Sequence, residues 1–132
     1  MIFPARLHHR VVNGVDKHGV RDGDTAWFEL QGPTLQGVEH LFVIKGRFAG
    51  LDAGKKGTPI GDEADAFVRN WLNVAASIST DPEWPLTIET HGPDKYGREE
   101  VTIRNTEDRC LNLMLIAAGL AVAWDGQGAH PL

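Results

Sequence analysis

Three short segments carry residue types suited to phosphodiester chemistry. They are Asp22-Gly23-Asp24-Thr25, then Arg47-Phe48-Ala49-Gly50-Leu51-Asp52 at the end of an apolar run, then Asp94-Lys95-Tyr96-Gly97-Arg98. Carboxylate oxygens hold hard divalent cations. Arginines grip phosphate oxygens with paired N–H donors. Asp24 and Asp52 are therefore the candidate metal ligands, and Arg47 and Arg98 the candidate phosphate clamps. A guanidinium fixed against a phosphoryl group stabilises the added negative charge of the transition state more than the ground state. Taken singly, each segment also reads as ordinary structure: DGDT as a turn, DKYGR as a solvated hairpin, the arginines as surface ion pairs. Their ordered combination points to a metal-assisted phosphodiesterase. Tyr96 either stacks on a base or keeps its hydroxyl in water. Lys95 beside it is a further candidate for substrate binding.

These segments need a rigid frame, and the periodicity supplies one. Residues 5–15 read as a first strand, with Asn13-Gly14 a bulge or a turn. Thr25 to Leu30 alternates as a second strand, closed by a turn at Gln31-Gly32-Pro33. Residues 38–51 read as a long third strand, bent at Gly46 and Gly50. Ala64, Phe67, Val68, Trp71, Leu72 and Ala75 form one apolar stripe, which predicts a helix over 62–77 capped by Asp62. Residues 86–90 and 100–104 read as two strands joined through GPDKYG. A second helix starts at Asp108 or Asn112 and ends near Gly119. Residues 121–124 add a short strand, and 125–132 a loose tail.

The chain's 132 residues fit one domain, with a core at about 5–124, and 42% hydrophobic content supports a single core. A net charge of −5 argues against a sequence-independent nucleic-acid tracker. It leaves room for a small site in which a cation and local arginines reverse the field. The single Cys110 excludes an internal disulfide and multi-cysteine zinc sites, and its apolar surroundings predict a small buried hydrophobe. The six histidines show no His-x3-His helix spacing, so no zinc site is assigned. No stretch approaches membrane-spanning length, and the apolar part of MIFPARLHHR is too short for a secretory signal. The expected location is cytoplasmic. Leu111, Leu113, Met114, Leu115 and Ile116 are apolar nearly all round the second helix, which predicts burial or a face for a protein partner or a second copy.

The chain resembles the staphylococcal-nuclease-like (thermonuclease) family. DGDT at 22–25, R-x4-D at 47–52, Gly61-Asp62-Glu63-Ala64, DKYGR at 94–98 and Gly119-Leu120-Ala121 follow that family's order, over roughly residues 10–124. The resemblance implies an α+β, mainly β fold: a five-stranded OB-fold barrel with two helices. It also implies Ca²⁺, with Mg²⁺ the alternative, held by Asp24, Asp52 and the Ala53 backbone carbonyl. The substrate it implies is DNA or RNA, single-stranded or locally open.

After the second Asp the family pattern reads x-Pro-Glu, whereas this chain has Ala53-Gly54-Lys55. Lys55 thus stands where the family places the Glu that orients or deprotonates the attacking water. A lysine with an ordinary pKa of about 10.4 is protonated at neutral pH and accepts no proton. Glu63, Asp62 and Asp65 are the nearest replacement acids, although Glu63 matches a non-catalytic family position. Losing a general base costs about 10²–10⁴-fold. The expected activity is a calcium-dependent nuclease-like phosphodiesterase of reduced rate. The alternatives are a catalytically impaired nucleotide- or nucleic-acid-binding OB module, and a structural or assembly protein on the same scaffold.

Overall fold

A computed structural model describes the backbone of residues 1–132 and every side chain except those of Arg10 and Asp16. In chain order the elements are β1 (Ile2–Leu7), β2 (Arg10–Val12), β3 (Val15–Lys17), β4 (Val20–Asp22), β5 (Thr25–Leu35), β6 (Val38–Phe48), β7 (Leu51–Ala53), α1 (Pro59–Ile78), β8 (Leu86–Pro93), β9 (Glu99–Asn105), α2 (Leu111–Ala117) and β10 (Ala121–Ala123). Five long strands, β1, β8, β9, β6 and β5, close into a mixed barrel because β5 also pairs with β1. The β6–β9 pair is parallel, and the other pairs of the barrel are antiparallel. This is the five-stranded, two-helix α+β barrel of OB-like type. No helix among the described residues is long and apolar enough to cross a membrane.

Several element limits differ from the periodicity, each for a local reason. The expected strand at 5–15 divides into β1 and a separate β2–β3 hairpin, turned at Asn13-Gly14 with φ of 51° and 76°. Gln31-Gly32-Pro33 does not turn the chain. A register shift between Gln31 and Thr34 takes up Pro33 inside β5, and the turn falls at Gln36-Gly37 instead. The third strand ends at Phe48, and Gly50 reverses the backbone into β7. Helix α1 begins three residues before the expected start, with Pro59 in its first turn and Thr58 rather than Asp62 as its cap. The Thr58 Oγ1 accepts from the Gly61 N–H at 3.1 Å. Helix α2 starts after Cys110 without a side-chain cap. It closes at Gly119, where the Gly119 N–H bonds the Ile116 carbonyl and the Leu120 N–H bonds the Leu115 carbonyl.

The core fills the barrel and the space beneath the helices. Phe28, Phe48, Ile88, Val101, Ile103, Leu111 and Leu115 are fully buried. Helix α1 buries Ala64, Val68, Trp71, Leu72 and Ala75, with Phe67 partly buried, as its apolar stripe predicts. The Trp71 indole N–H meets Met114 Sδ at 3.2 Å and ties α1 to α2. Helix α2 turns its apolar circumference inward, apart from Leu113, which is 63% exposed. Its buried Asn112 accepts from the Ile103 N–H and donates to the Ala49 and Val101 carbonyls, each at 3.0 Å. Cys110 is buried.

Gly23 couples the first motif to this frame. A Cβ there would lie 2.6 Å from Ala64 Cβ and 3.1 Å from Ala53 Cβ. The DGDT turn therefore rests directly on α1 and β7, and overpacking at that seam costs about 1–3 kcal/mol. Gly23→Ala is expected to destabilise by that amount in denaturant unfolding. In an Ala64→Gly background, where the blocking methyl is gone, the cost of Gly23→Ala should fall. An equal cost in both backgrounds would place the strain elsewhere.

Candidate functional site

Strand pairing brings the first two motifs together. Thr25 of β5 lies opposite Arg47 of β6, and the Phe48 N–H bonds the Asp24 carbonyl at 2.8 Å. Two residues past Phe48 the chain turns at Gly50, so β7 returns Asp52 to the same spot. The Arg47 side chain is buried there. Its Nη1 donates to the Phe48 carbonyl at 3.0 Å and its Nη2 to the Leu51 carbonyl at 3.1 Å. The same Nη2 lies 3.5 Å from Asp24 Oδ2 and 3.8 Å from Asp52 Oδ1. Asp24 is further held by the Thr25 hydroxyl at 3.0 Å and by the Ala53 N–H at 3.4 Å. The two candidate carboxylates thus flank one guanidinium, with the Ala53 backbone beside them.

Asp22 adds a third carboxyl group to this corner. Its Oδ1 accepts from the Asp24 N–H at 3.2 Å, the bond of a turn-forming aspartate. Burial first, and then the Asp24 carboxyl beside it, push the Asp22 carboxyl up to about 6. Among the described residues, no group of three or more His, Cys, Asp and Glu side chains is arranged to hold a metal ion. The oxygen donors at this corner are the carboxylates of Asp24 and Asp52, both beside Arg47 Nη2, and the backbone group that reaches them is the Ala53 N–H. The two carboxylates fit a hard divalent cation that keeps water or phosphate in its remaining positions.

The third motif stands across a cavity of 390 Å³ from the second, lined among others by Arg47, Lys95, Tyr96, Arg98 and Trp124. Asp94 organises its turn. Its Oδ1 accepts from the Tyr96 and Arg98 N–H groups at 2.9 and 2.8 Å, and its Oδ2 from Arg98 Nε at 2.7 Å. The exposed Tyr96 ring lies 5.3 Å from Lys95 Nζ and 5.4 Å from Arg98 Cζ. The structure thus brings Arg47, Arg98, Lys95 and Tyr96 to one cavity, while Asp24 and Asp52 contact Arg47 without lining that cavity themselves. Lys55 is not among the lining residues. It is exposed in the turn before α1, where its carbonyl accepts from the Thr58 hydroxyl at 2.6 Å.

The sequence reading missed the part played by the last residues. The stretch expected as a loose tail folds back over the site. The His130 ring packs on Trp124 with centroids 4.3 Å apart, and its Nδ1 lies 3.0 Å from Asp52 Oδ1. The Leu132 N–H donates to Asp52 Oδ2 at 3.0 Å. Both Asp52 oxygens are therefore engaged by the tail. The only sequence signal was an aromatic residue and a histidine flanking the glycine-rich GQG.

No protein-family model matches the chain. Part of the histidine–tRNA ligase of Parasynechococcus marenigrum (strain WH8102) is 34% identical to it over 131 residues. That match covers 96% of this chain and 29% of the ligase, so the chain spans under a third of that relative's length.

The Asp94 carboxyl gives the site a pH signature. Burial raises its pKa, but the Arg98 and Tyr96 N–H groups and the Arg98 side chain lower it further, to below the ordinary 3.8. A folded-state value below the unfolded one adds stability at pH above the unfolded pKa, and this is lost as pH falls through the folded pKa. Asp94→Asn should therefore be less stable than the parent at neutral pH. The gap should close as unfolding is measured at pH values progressively below 3.8. A gap independent of pH would mean that Asp94 acts through shape and not charge.

Proposed function

We propose that the chain is a metal-assisted phosphodiesterase of the staphylococcal-nuclease-like kind, slow for want of a general base, acting on single-stranded or locally open DNA or RNA. One observation carries this reading: Asp24 and Asp52 meet on a single buried guanidinium at the wall of a cavity that Arg98, Lys95 and Tyr96 also line. The residues to hold Ca²⁺, or Mg²⁺, are Asp24, Asp52 and the Ala53 carbonyl. Such a cation, when bound, offsets phosphate charge and makes bound water more acidic.

The chain's own groups divide the remaining work. Arg47 is anchored by two carbonyls and acts as a fixed positive charge at the wall. Arg98 is aimed by Asp94 through Nε, a geometry that leaves the far edge of its guanidinium for phosphate oxygens. Tyr96 offers an exposed ring on which a base can stack. No carboxylate stands at the position of Lys55, so binding and charge stabilisation operate without a proton acceptor beside the attacking water. The likeness to part of a tRNA ligase makes RNA as relevant a substrate to test as DNA.

A second reading, a nucleotide-binding module that does not cleave, is favoured by one observation: the tail engages both oxygens of Asp52. Cleavage assays on single-stranded DNA and RNA, with Ca²⁺, with Mg²⁺ and with a chelator, separate the two. The first reading expects slow, chelator-sensitive cleavage that Lys55→Glu accelerates. The gain should fall short of the full general-base range of about 10²–10⁴, because the glycine at 54 leaves that loop less rigid than a proline would. Nucleoside bisphosphate binding without cleavage in either form would select the binding module. Absence of both would remove the phosphodiester reading.

A further inference from the structure

The Asp52 side chain is 3% exposed, yet part of its cover lies outside the core. Residues 125–132 leave β10 and fold back over it, and every one of them is exposed or half-buried. The segment is fastened at two points. At its base the Trp124 N–H bonds the Gly50 carbonyl at 3.0 Å, and the Trp124 indole N–H bonds the Gln127 carbonyl at 2.9 Å. At its far end the His130 ring packs on Trp124, its Nδ1 reaches Asp52 Oδ1, and the Leu132 N–H reaches Asp52 Oδ2. Between these points Gly126 and Gly128 stand at φ of 84° and 74°, which glycine adopts without strain. A segment with few buried apolar contacts opens locally at little cost and leaves the core intact.

We propose that residues 125–132 are a displaceable strap: closed, they withhold Asp52 from a divalent cation, and cation binding releases them. This regulation rests on the cation site proposed above. A hard cation needs open carboxylate oxygens and room for the waters it keeps. With the strap closed, each Asp52 oxygen has a strap nitrogen 3.0 Å away and the side chain is shut off from solvent. Only the open form is competent, so the apparent affinity is the intrinsic affinity multiplied by the open fraction. A strap closed in about nine molecules of ten weakens calcium binding about tenfold. Gly126, Gln127 and His130 also line the 390 Å³ cavity, so the same opening widens the space in front of Arg47 and Arg98.

Calorimetric titration of the full chain with Ca²⁺ tests the strap through two substitutions that leave Asp24, Arg47 and Asp52 in place. Leu132→Pro removes the N–H without changing any charge, and His130→Ala removes the ring. Each should tighten calcium binding, and the two together about tenfold. Nuclear magnetic resonance of the parent gives a second, independent readout. The His130 ring protons lie against the Trp124 ring in the closed strap. They should move toward the positions of an exposed histidine as calcium is added. Equal calcium affinity in the parent and both variants overturns the strap and leaves the cation site standing. Binding that leaves the His130 resonances unmoved does the same. No calcium binding by the parent or by either variant overturns strap and site together.

Discussion

A buried guanidinium organises this protein. Arg47 lies inside the fold, and an isolated charge there would cost several kcal/mol. The cost is met by the Phe48 carbonyl at its own strand end, the Leu51 carbonyl of β7, and the carboxylates of Asp24 and Asp52. That requirement fixes the path of the chain. β5 must begin at the DGDT turn, β6 must end at Phe48, and Gly50 must reverse the backbone so that Asp52 returns within reach. Gly23 then lets the turn settle on Ala64, which sets the position of α1. Motifs that look separate in the sequence are thus one electrostatic assembly.

Three carboxyl groups, Asp22, Asp24 and Asp52, share the corner with Arg47, and burial first, then the neighbouring Asp24, raises the Asp22 carboxyl. Removing Arg47 would leave the buried Asp52 carboxylate without its cation beside the half-buried Asp24, so its loss threatens the fold before it touches any chemistry. The tail relieves Asp52 by offering one N–H and one imidazole nitrogen. A divalent cation would relieve the corner more completely, and it would compete with the tail for the Asp52 oxygens.

Much of this was legible in the sequence. The stripe from Ala64 to Ala75 gave α1 its buried face, and the glycine at 119 marked the end of α2, because both signals are local. The barrel topology came through the resemblance, and the convergence of Arg47 with Asp24 and Asp52 followed from motif order. What escaped depends on distant partners. Pro33 suggests a turn, yet cross-strand pairing with β6 carries β5 past it with a register shift. Thr58 took the cap from Asp62 because Pro59 pre-sets the first helical turn one residue later. Asn112 was read only as a possible start of the second helix, but its side chain satisfies three backbone groups that lie elsewhere. The return of His130 onto Asp52 has no periodicity at all to announce it.

Calorimetric titration with Ca²⁺, in the presence of a nucleoside bisphosphate, tests the central claim that Asp24 and Asp52 form a cation site around Arg47. The amides of Asp24→Asn/Asp52→Asn keep the shape and remove both charges. The parent should bind the cation and the double variant should not, while circular dichroism shows both folded. Equal calcium affinity in the two proteins would contradict the account and leave the Arg47 cluster a structural device alone.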